Sequence, residues 1–201
     1  MLKKQFKRAF GVLVLGLIPL ALSVLTAGTA QAHGYTQNPT SRAYFCKLGT
    51  ATNCGSIQWE PQSVEGPKGF PNSGPADGKL CSAGVGSFAP LDDPRNGTWP
   101  TTKLTSGAGY TFTWTLTAPH ATSSFRYYIT KNGWNPSAPL TRAQLETTPF
   151  LTVNMNGQRP GYTVSHPGTL PAGKSGRHLI FSVWDIADTG NAFYQCADVT
   201  F

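Results

Sequence analysis

Tyr110-Thr111-Phe112-Thr113-Trp114-Thr115-Leu116 places Phe112, Trp114 and Leu116 on one side of an extended chain and three threonines on the other. Successive side chains of a strand point to opposite faces, so this run reads as a half-buried β-strand. Residues 124–130 repeat the alternation with Phe125, Tyr127 and Ile129, and further strands are predicted over 150–155, 162–165, 178–184 and 193–201. Only Thr141-Arg142-Ala143-Gln144 signals a helix start, through its capping-box spacing. Short strands separated by turn residues predict an all-β fold, an antiparallel β-sandwich.

Ahead of this pattern, residues 46–100 are rich in Gly, Pro, Ser and Asn and carry no sustained period of either kind. Structureless loops longer than about 15 residues are uncommon inside compact domains and are often functional. Cysteines pin this one, and Trp59, Phe70 and Trp99 lie within it, so an ordered, functional insertion with short helical turns is expected. Cys46, Cys54, Cys81 and Cys196 are even in number and none forms C-x-x-C, which favours two disulfides over a zinc cluster or free thiols. Three pairings are possible. The short loop between Cys46 and Cys54 most simply closes on itself, leaving Cys81 to join Cys196.

The N-terminus reads as an export signal. Lys3, Lys4, Lys7 and Arg8 precede an apolar run over residues 9–27, and Ala30-Gln31-Ala32 is an A-x-A cleavage site. An uncleaved anchor is the competing reading, because the apolar run approaches the roughly 20 residues that span a bilayer. Pro19 and the small-residue exit favour cleavage, giving a signal peptide over 1–32 and one secreted domain over 33–201 with no membrane attachment. The formal charge of +7 loses the leader's four positive charges and becomes +3. Charged residues are 12% of the chain against roughly 25% in typical domains, which argues against a nucleic-acid binder and for a neutral partner.

Cleavage after Ala32 would make His33 the first residue, and an N-terminal histidine offers both its α-amino nitrogen and its ring Nδ1 to one metal ion. Among the other histidines, His120 follows Ala118-Pro119 just beyond a strong strand, where a side chain can stand at the rim of a sandwich. His166, before Pro167 in a turn, and His178, beside Arg177 at a strand start, read as surface residues. Amine and imidazole nitrogens in a tetragonal set suit copper. Paired carboxylates are the other chemical candidate: Glu60 with Glu65, or Asp185 with Asp188, as the acid and base of a glycoside hydrolase. Most such carboxylates are solvated loop residues. Trp59, in Gln58-Trp59-Glu60-Pro61, is either part of a small core under the loop or a flat exposed face for stacking on sugar rings. Neither G-x-S-x-G, a P-loop, a dinucleotide fingerprint nor H-E-x-x-H occurs.

Taken together, His33-Gly34-Tyr35, Ser41-Arg42-Ala43-Tyr44, residues 58–66, Gly69-Phe70-Pro71, Gly74-Pro75-Ala76-Asp77-Gly78, Ala118-Pro119-His120, Pro139-Leu140-Thr141-Arg142 and residues 184–195 resemble the lytic polysaccharide monooxygenases of auxiliary activity family 10, specifically their chitin-active branch. The resemblance covers residues 33–201. It implies an immunoglobulin/fibronectin III-like antiparallel β-sandwich with a long, partly helical loop insertion. It also implies one copper ion held by the His33 amine and ring and the His120 ring, with Phe193 and Ala118 on the two axial sides and Glu65 as a nearby acid. Trp59, Glu60, Pro61, Thr117, Asp188 and Asn191 match positions on a flat chitin-binding face. The implied reaction is C1 oxidation of β-1,4 bonds in crystalline chitin by a monomer, using an external reductant and hydrogen peroxide or oxygen. A non-catalytic chitin-binding or adhesion protein, or the same chemistry on cellulose, are the alternatives. The pairing of Cys81 with Cys196 is not general to that family.

Overall fold

A computed structural model describes residues 32–201, so the leader expected over 1–32 lies, Ala32 apart, outside the described residues. Along the chain run β1 (His33–Asn38), α1 (Arg42–Lys47), β2 (Glu65–Pro67), β3 (Thr102–Lys103), β4 (Gly109–Ala118), β5 (Thr122–Ile129), β6 (Leu151–Asn154), β7 (Thr163–Thr169), β8 (Arg177–Ile186) and β9 (Asn191–Thr200). Phe112, Trp114 and Leu116 of β4 are fully buried, as their period predicts. β4 sits at the centre of an antiparallel sheet ordered β1-β4-β7, which faces a second sheet ordered β2-β9-β8-β5-β6, with β3 adding in parallel beside β9. This is the immunoglobulin-like β-sandwich expected, and all six predicted strands are present within a few residues of their expected limits. Among the described residues, no helix is long and apolar enough to cross a membrane.

The two faces of the larger sheet bury different things. Its inner face meets the small sheet over Trp114, Phe125, Tyr127, Ile180, Trp184 and Phe193. Its outer face is covered by the loop insertion, through Ile57, Val64, Phe70, Leu80, Phe88 and Trp99. β8 and β9 are therefore buried on both sides, which is why residues 179–184 read as almost continuously apolar instead of alternating.

The insertion contains the short helical turns expected of it, at Gly55–Gln58, Gly86–Leu91 and Arg95–Gly97. It is fastened by the disulfides Cys46–Cys54 and Cys81–Cys196, and by three arginines that donate into its carbonyls. Arg42 bonds Leu91 O at 2.8 Å and Asp198 at 2.6 Å. Arg126 bonds Phe70 O at 2.6 Å and Asp185 at 2.7 Å. Arg142 bonds the carbonyls of Pro71, Ser73 and Pro75 and the carboxylate of Asp77. That hydrogen-bonding by Arg142 holds the Asp77 carboxyl below its usual range.

Some local expectations change. The capping box at Thr141 forms, but only one 3₁₀ turn follows, because Leu145 is drawn into the core and bridges to Thr130. β1, β2, β3 and α1 have no period strong enough to predict them; α1 is started by Ser41, whose side chain accepts from Tyr44 N at 3.2 Å. His166 and His178 are buried, not on the surface. His166 lies opposite Phe112 in the β4–β7 register and so faces the core, where its Nδ1 is 2.6 Å from the Tyr127 hydroxyl. His178 packs its Nδ1 against Thr130 Oγ1 at 2.9 Å.

Two stability predictions arise here. The bridge between Cys81 and Cys196 closes a loop of sequence separation 115. Replacing both by serine should lower the unfolding free energy by up to about 5 kcal/mol in the chain-entropy account, measured by denaturant titration. Burial also pushes the His166 pKa from 6.5 down to about 4. The unfolded chain therefore takes up that proton first as pH falls, so this stabilisation is whole above about pH 6.5 and is lost progressively toward pH 4. Unfolding free energies from urea titrations between those pH values should fall by roughly 2–3 kcal/mol more for the wild type than for His166→Gln. Parallel curves for the two proteins would contradict it.

Candidate metal centre and the face around it

His33 opens β1 and pairs with Ala118, the last residue of β4, with a bulge before Gly34. The row beneath is tightly packed: a Cβ on Gly34 would lie 2.6 Å from Leu116 Cδ2 and 3.1 Å from Trp184 Cζ3. Glycine there lets β1 settle onto the aromatic core, and Gly34 N also donates to Gln62 O at 3.0 Å, joining the insertion to the strand. The His33 ring stands 6.3 Å from the buried ring of Phe193, and Phe193 rests on Trp184 at 5.0 Å.

His120 lies two residues beyond the end of β4. Its carbonyl accepts from Thr122 Oγ1 at 2.8 Å, and the same hydroxyl accepts from Trp184 Nε1 at 2.8 Å. One indole thus underlies both Phe193 beside His33 and the turn carrying His120. The His120 side chain is buried, and its Nδ1 approaches Asp188 Oδ1 at 2.9 Å. That approach lacks hydrogen-bond geometry, and Nδ1 has no hydrogen-bond partner. Asp188 itself is half-exposed. Buried polar atoms are normally satisfied, so a buried imidazole with an unpartnered nitrogen suits a ligand still to be engaged.

Among the described residues no group of three His, Cys, Asp or Glu side chains is placed to hold a metal. The donor set expected here needs only two side chains, because its third nitrogen is the main-chain amine of His33. Attached to Ala32, that nitrogen is an amide without a basic lone pair. The residues therefore fit a copper ion once residue 33 is the first, and not before.

Glu65 pairs with Phe193 in the β2–β9 register, and its Oε1 accepts from Asn191 Nδ2 at 2.8 Å. Thr117 and Asn191 are exposed and Ala118 is half-buried. Trp59 is 81% exposed, whereas Phe70 and Trp99 of the same insertion are 1% exposed, so Trp59 is not part of a core under the loop. Glu60 is half-buried, and Pro61 is buried beneath the loop, its carbonyl accepting from Gln195 Nε2 at 3.3 Å. Asp185 does not pair with Asp188: it is buried in a bidentate contact with Arg126 and accepts from Ser124 Oγ, leaving it no role as a hydrolytic acid. Thr122, Trp184 and Gln195 hold the histidines and the loop, a supporting role that the sequence does not reveal because their partners are distant along the chain.

Comparison with known proteins accords with this geometry. The family described as lytic polysaccharide mono-oxygenase, cellulose-degrading, matches residues 33–199. A solved AA10 lytic polysaccharide monooxygenase from Streptomyces lividans is 60% identical with a TM-score of 0.82, covering 84% of this chain and 100% of that one. A Bacillus amyloliquefaciens CBM33 in complex with Cu(I) is 44% identical with a TM-score of 0.75, over 84% of this chain and 99% of that one. GlcNAc-binding protein A of Shewanella oneidensis is 46% identical over 93% of this chain and 40% of its own length. The chain belongs to the AA10 family of lytic polysaccharide monooxygenases. It spans about half the length of the curated relatives it matches.

The packing at Gly34 gives a prediction. Gly34→Ala forces Leu116 or β1 to move, and overpacking of this kind should lower stability by about 1–3 kcal/mol in a denaturant titration. An unchanged midpoint would mean that the strand does not depend on this contact.

Proposed function

We propose that residues 33–201 act as a single secreted, monomeric catalytic domain that binds one copper ion and cleaves β-1,4 bonds of crystalline chitin oxidatively at C1. The observation that carries the reading is the placement of His33 opposite Ala118, two residues before His120, whose ring is buried with Nδ1 lacking a hydrogen-bond partner. The His33 amine, the His33 ring and the His120 ring are the three nitrogen donors. The chemistry the metal supplies when bound is one-electron redox, with an external reductant and hydrogen peroxide or oxygen as co-substrate.

The chain's own residues do the rest. The apolar Phe193 ring beside His33 would limit access there, and the small side chain of Ala118, paired with His33, would leave room for a bound group. Glu65, oriented by Asn191, stands as an acceptor or proton holder beside the site. Trp59 stacks on a sugar ring, while Glu60, Thr117, Asp188 and Asn191 meet hydroxyl and amide groups, with Pro61 fixing the height of the loop. A crystal surface cannot thread into a cleft, so an exposed face with the donors set in it suits this substrate.

Chitin is favoured over cellulose by the GlcNAc-binding relatives; cellulose is the second reading, favoured by the description of the matching family. A non-catalytic chitin binder would use the same face without needing copper. Protein beginning at His33, given copper, ascorbate and β-chitin, should release oligosaccharides with aldonic-acid ends, read by mass spectrometry. His120→Ala should adsorb to chitin yet release none, and one extra residue before His33 should weaken copper binding markedly in calorimetry. Wild type that adsorbs but yields no oxidised product would establish the non-catalytic binder instead.

A further inference from the structure

Among the described residues only three large apolar side chains are exposed: Leu48 at 55%, Trp59 at 81% and Tyr162 at 71%. Trp59 belongs to the proposed chitin face. Tyr162 stands just before β7, at the other edge of the small sheet. Gly34 pairs with Leu116, and Leu116 N donates to Tyr162 O at 2.7 Å, so Gly34, Leu116 and Tyr162 form one row across β1, β4 and the start of β7. That row lies next to the one holding His33 and Ala118. The Trp59 loop flanks the β1 edge through Gly34 N and Gln62 O, while Tyr162 stands on the β7 edge. Two interstrand spacings, about 10 Å, separate β1 from β7, more than one sugar ring.

The segment carrying Tyr162 is built, not loose. Asn156 and Gly157 both take positive φ, at 51° and 81°, and Gln158 N donates to Met155 O at 2.9 Å, closing a turn of the Asn-Gly type. Thr122 N donates to Gln158 O at 3.0 Å, and Gly157 N donates to Thr122 O at 2.8 Å. Arg159 Nε donates to Pro119 O at 2.8 Å. The turn is thus bonded on both sides of His120, and it presents the exposed side chains of Gln158, Arg159 and Tyr162. An exposed aromatic ring beside polar side chains on a fixed backbone suits a neutral polysaccharide.

We propose that Tyr162, supported by Gln158 and Arg159, forms a second sugar-binding platform, so that a polysaccharide chain lies across the donor histidines between Trp59 and Tyr162. Two platforms on opposite sides of the reacting bond hold that bond over the metal site, where one platform allows the chain to pivot. The inference rests on the polysaccharide reading above and adds a subsite to it.

The test is adsorption of copper-loaded protein beginning at His33 to β-chitin and, separately, to cellulose, for wild type, Tyr162→Ala, Tyr162→Phe, Trp59→Ala and Trp59→Ala/Tyr162→Ala. Tyr162→Ala should bind the polymer that wild type binds about fivefold more weakly, and Tyr162→Phe should stay near wild type, since the ring face is retained. The double variant should bind more weakly than Trp59→Ala alone. Copper affinity and thermal midpoint should not change, because Tyr162 touches neither the donors nor the core. Wild-type adsorption retained by Tyr162→Ala would overturn the platform alone. Wild type that adsorbs to neither polymer would overturn both the platform and the polysaccharide reading.

Discussion

A loop of some fifty residues with almost no ladder of its own must still satisfy its main-chain carbonyls, and the structure depends on how this is done. Arg42, Arg126 and Arg142 each pair with a carboxylate and turn their remaining donors to loop carbonyls. Each guanidinium also lies over an aromatic ring, Trp99, Tyr128 or Phe70 respectively. A planar fork with five donors can do all of this at once; an ammonium cannot. Arg42 with Asp198 is fully buried, so loss of either partner would strand a charge in the core.

Holding the insertion down has a consequence at the far end of the sandwich. The same insertion carries Trp59, Pro61 and Glu65, and it meets the strands through Gly34 N to Gln62 O, Gln195 Nε2 to Pro61 O, and the pairing of β2 with β9. The aromatic core supports the other half of the site. Trp184 touches Phe193, limits the side chain at position 34 and donates to Thr122, which bonds the His120 carbonyl. His33, His120 and the Trp59 loop are therefore fixed against one rigid body, which suits the proposed reaction on a solid substrate.

The electrostatics are spare. Asp185 is neutralised by Arg126, Asp198 by Arg42, and Asp77 by Arg142, which leaves Glu60, Glu65 and Asp188 as the carboxylates of the proposed face without a cationic Arg or Lys partner. A face with so few charges would not oppose the uncharged polymer proposed as substrate.

Residue patterns alone reveal the strands of the sandwich, because a half-buried strand imposes a period of two that the β4 sequence keeps without a break. They also reveal the covalent frame, since four cysteines in an exported segment leave few pairings, and the candidate donors, since A-x-A followed by histidine is a local signal. Strand β1, helix α1 and the buried state of His166 and His178 are not legible in this way. Their environments are set by partners far along the chain: Phe112 and Tyr127 for His166, Thr130 for His178, Ala118 for His33. The exposure of Trp59 beside two buried aromatic residues of the same loop is equally silent in composition. The sequence by itself determined the period, the cysteines and the two histidines. Only tertiary structure decided which polar groups are buried, which aromatic rings face water and which residues meet at the end of β4, because burial depends on contacts between distant segments that no local pattern records.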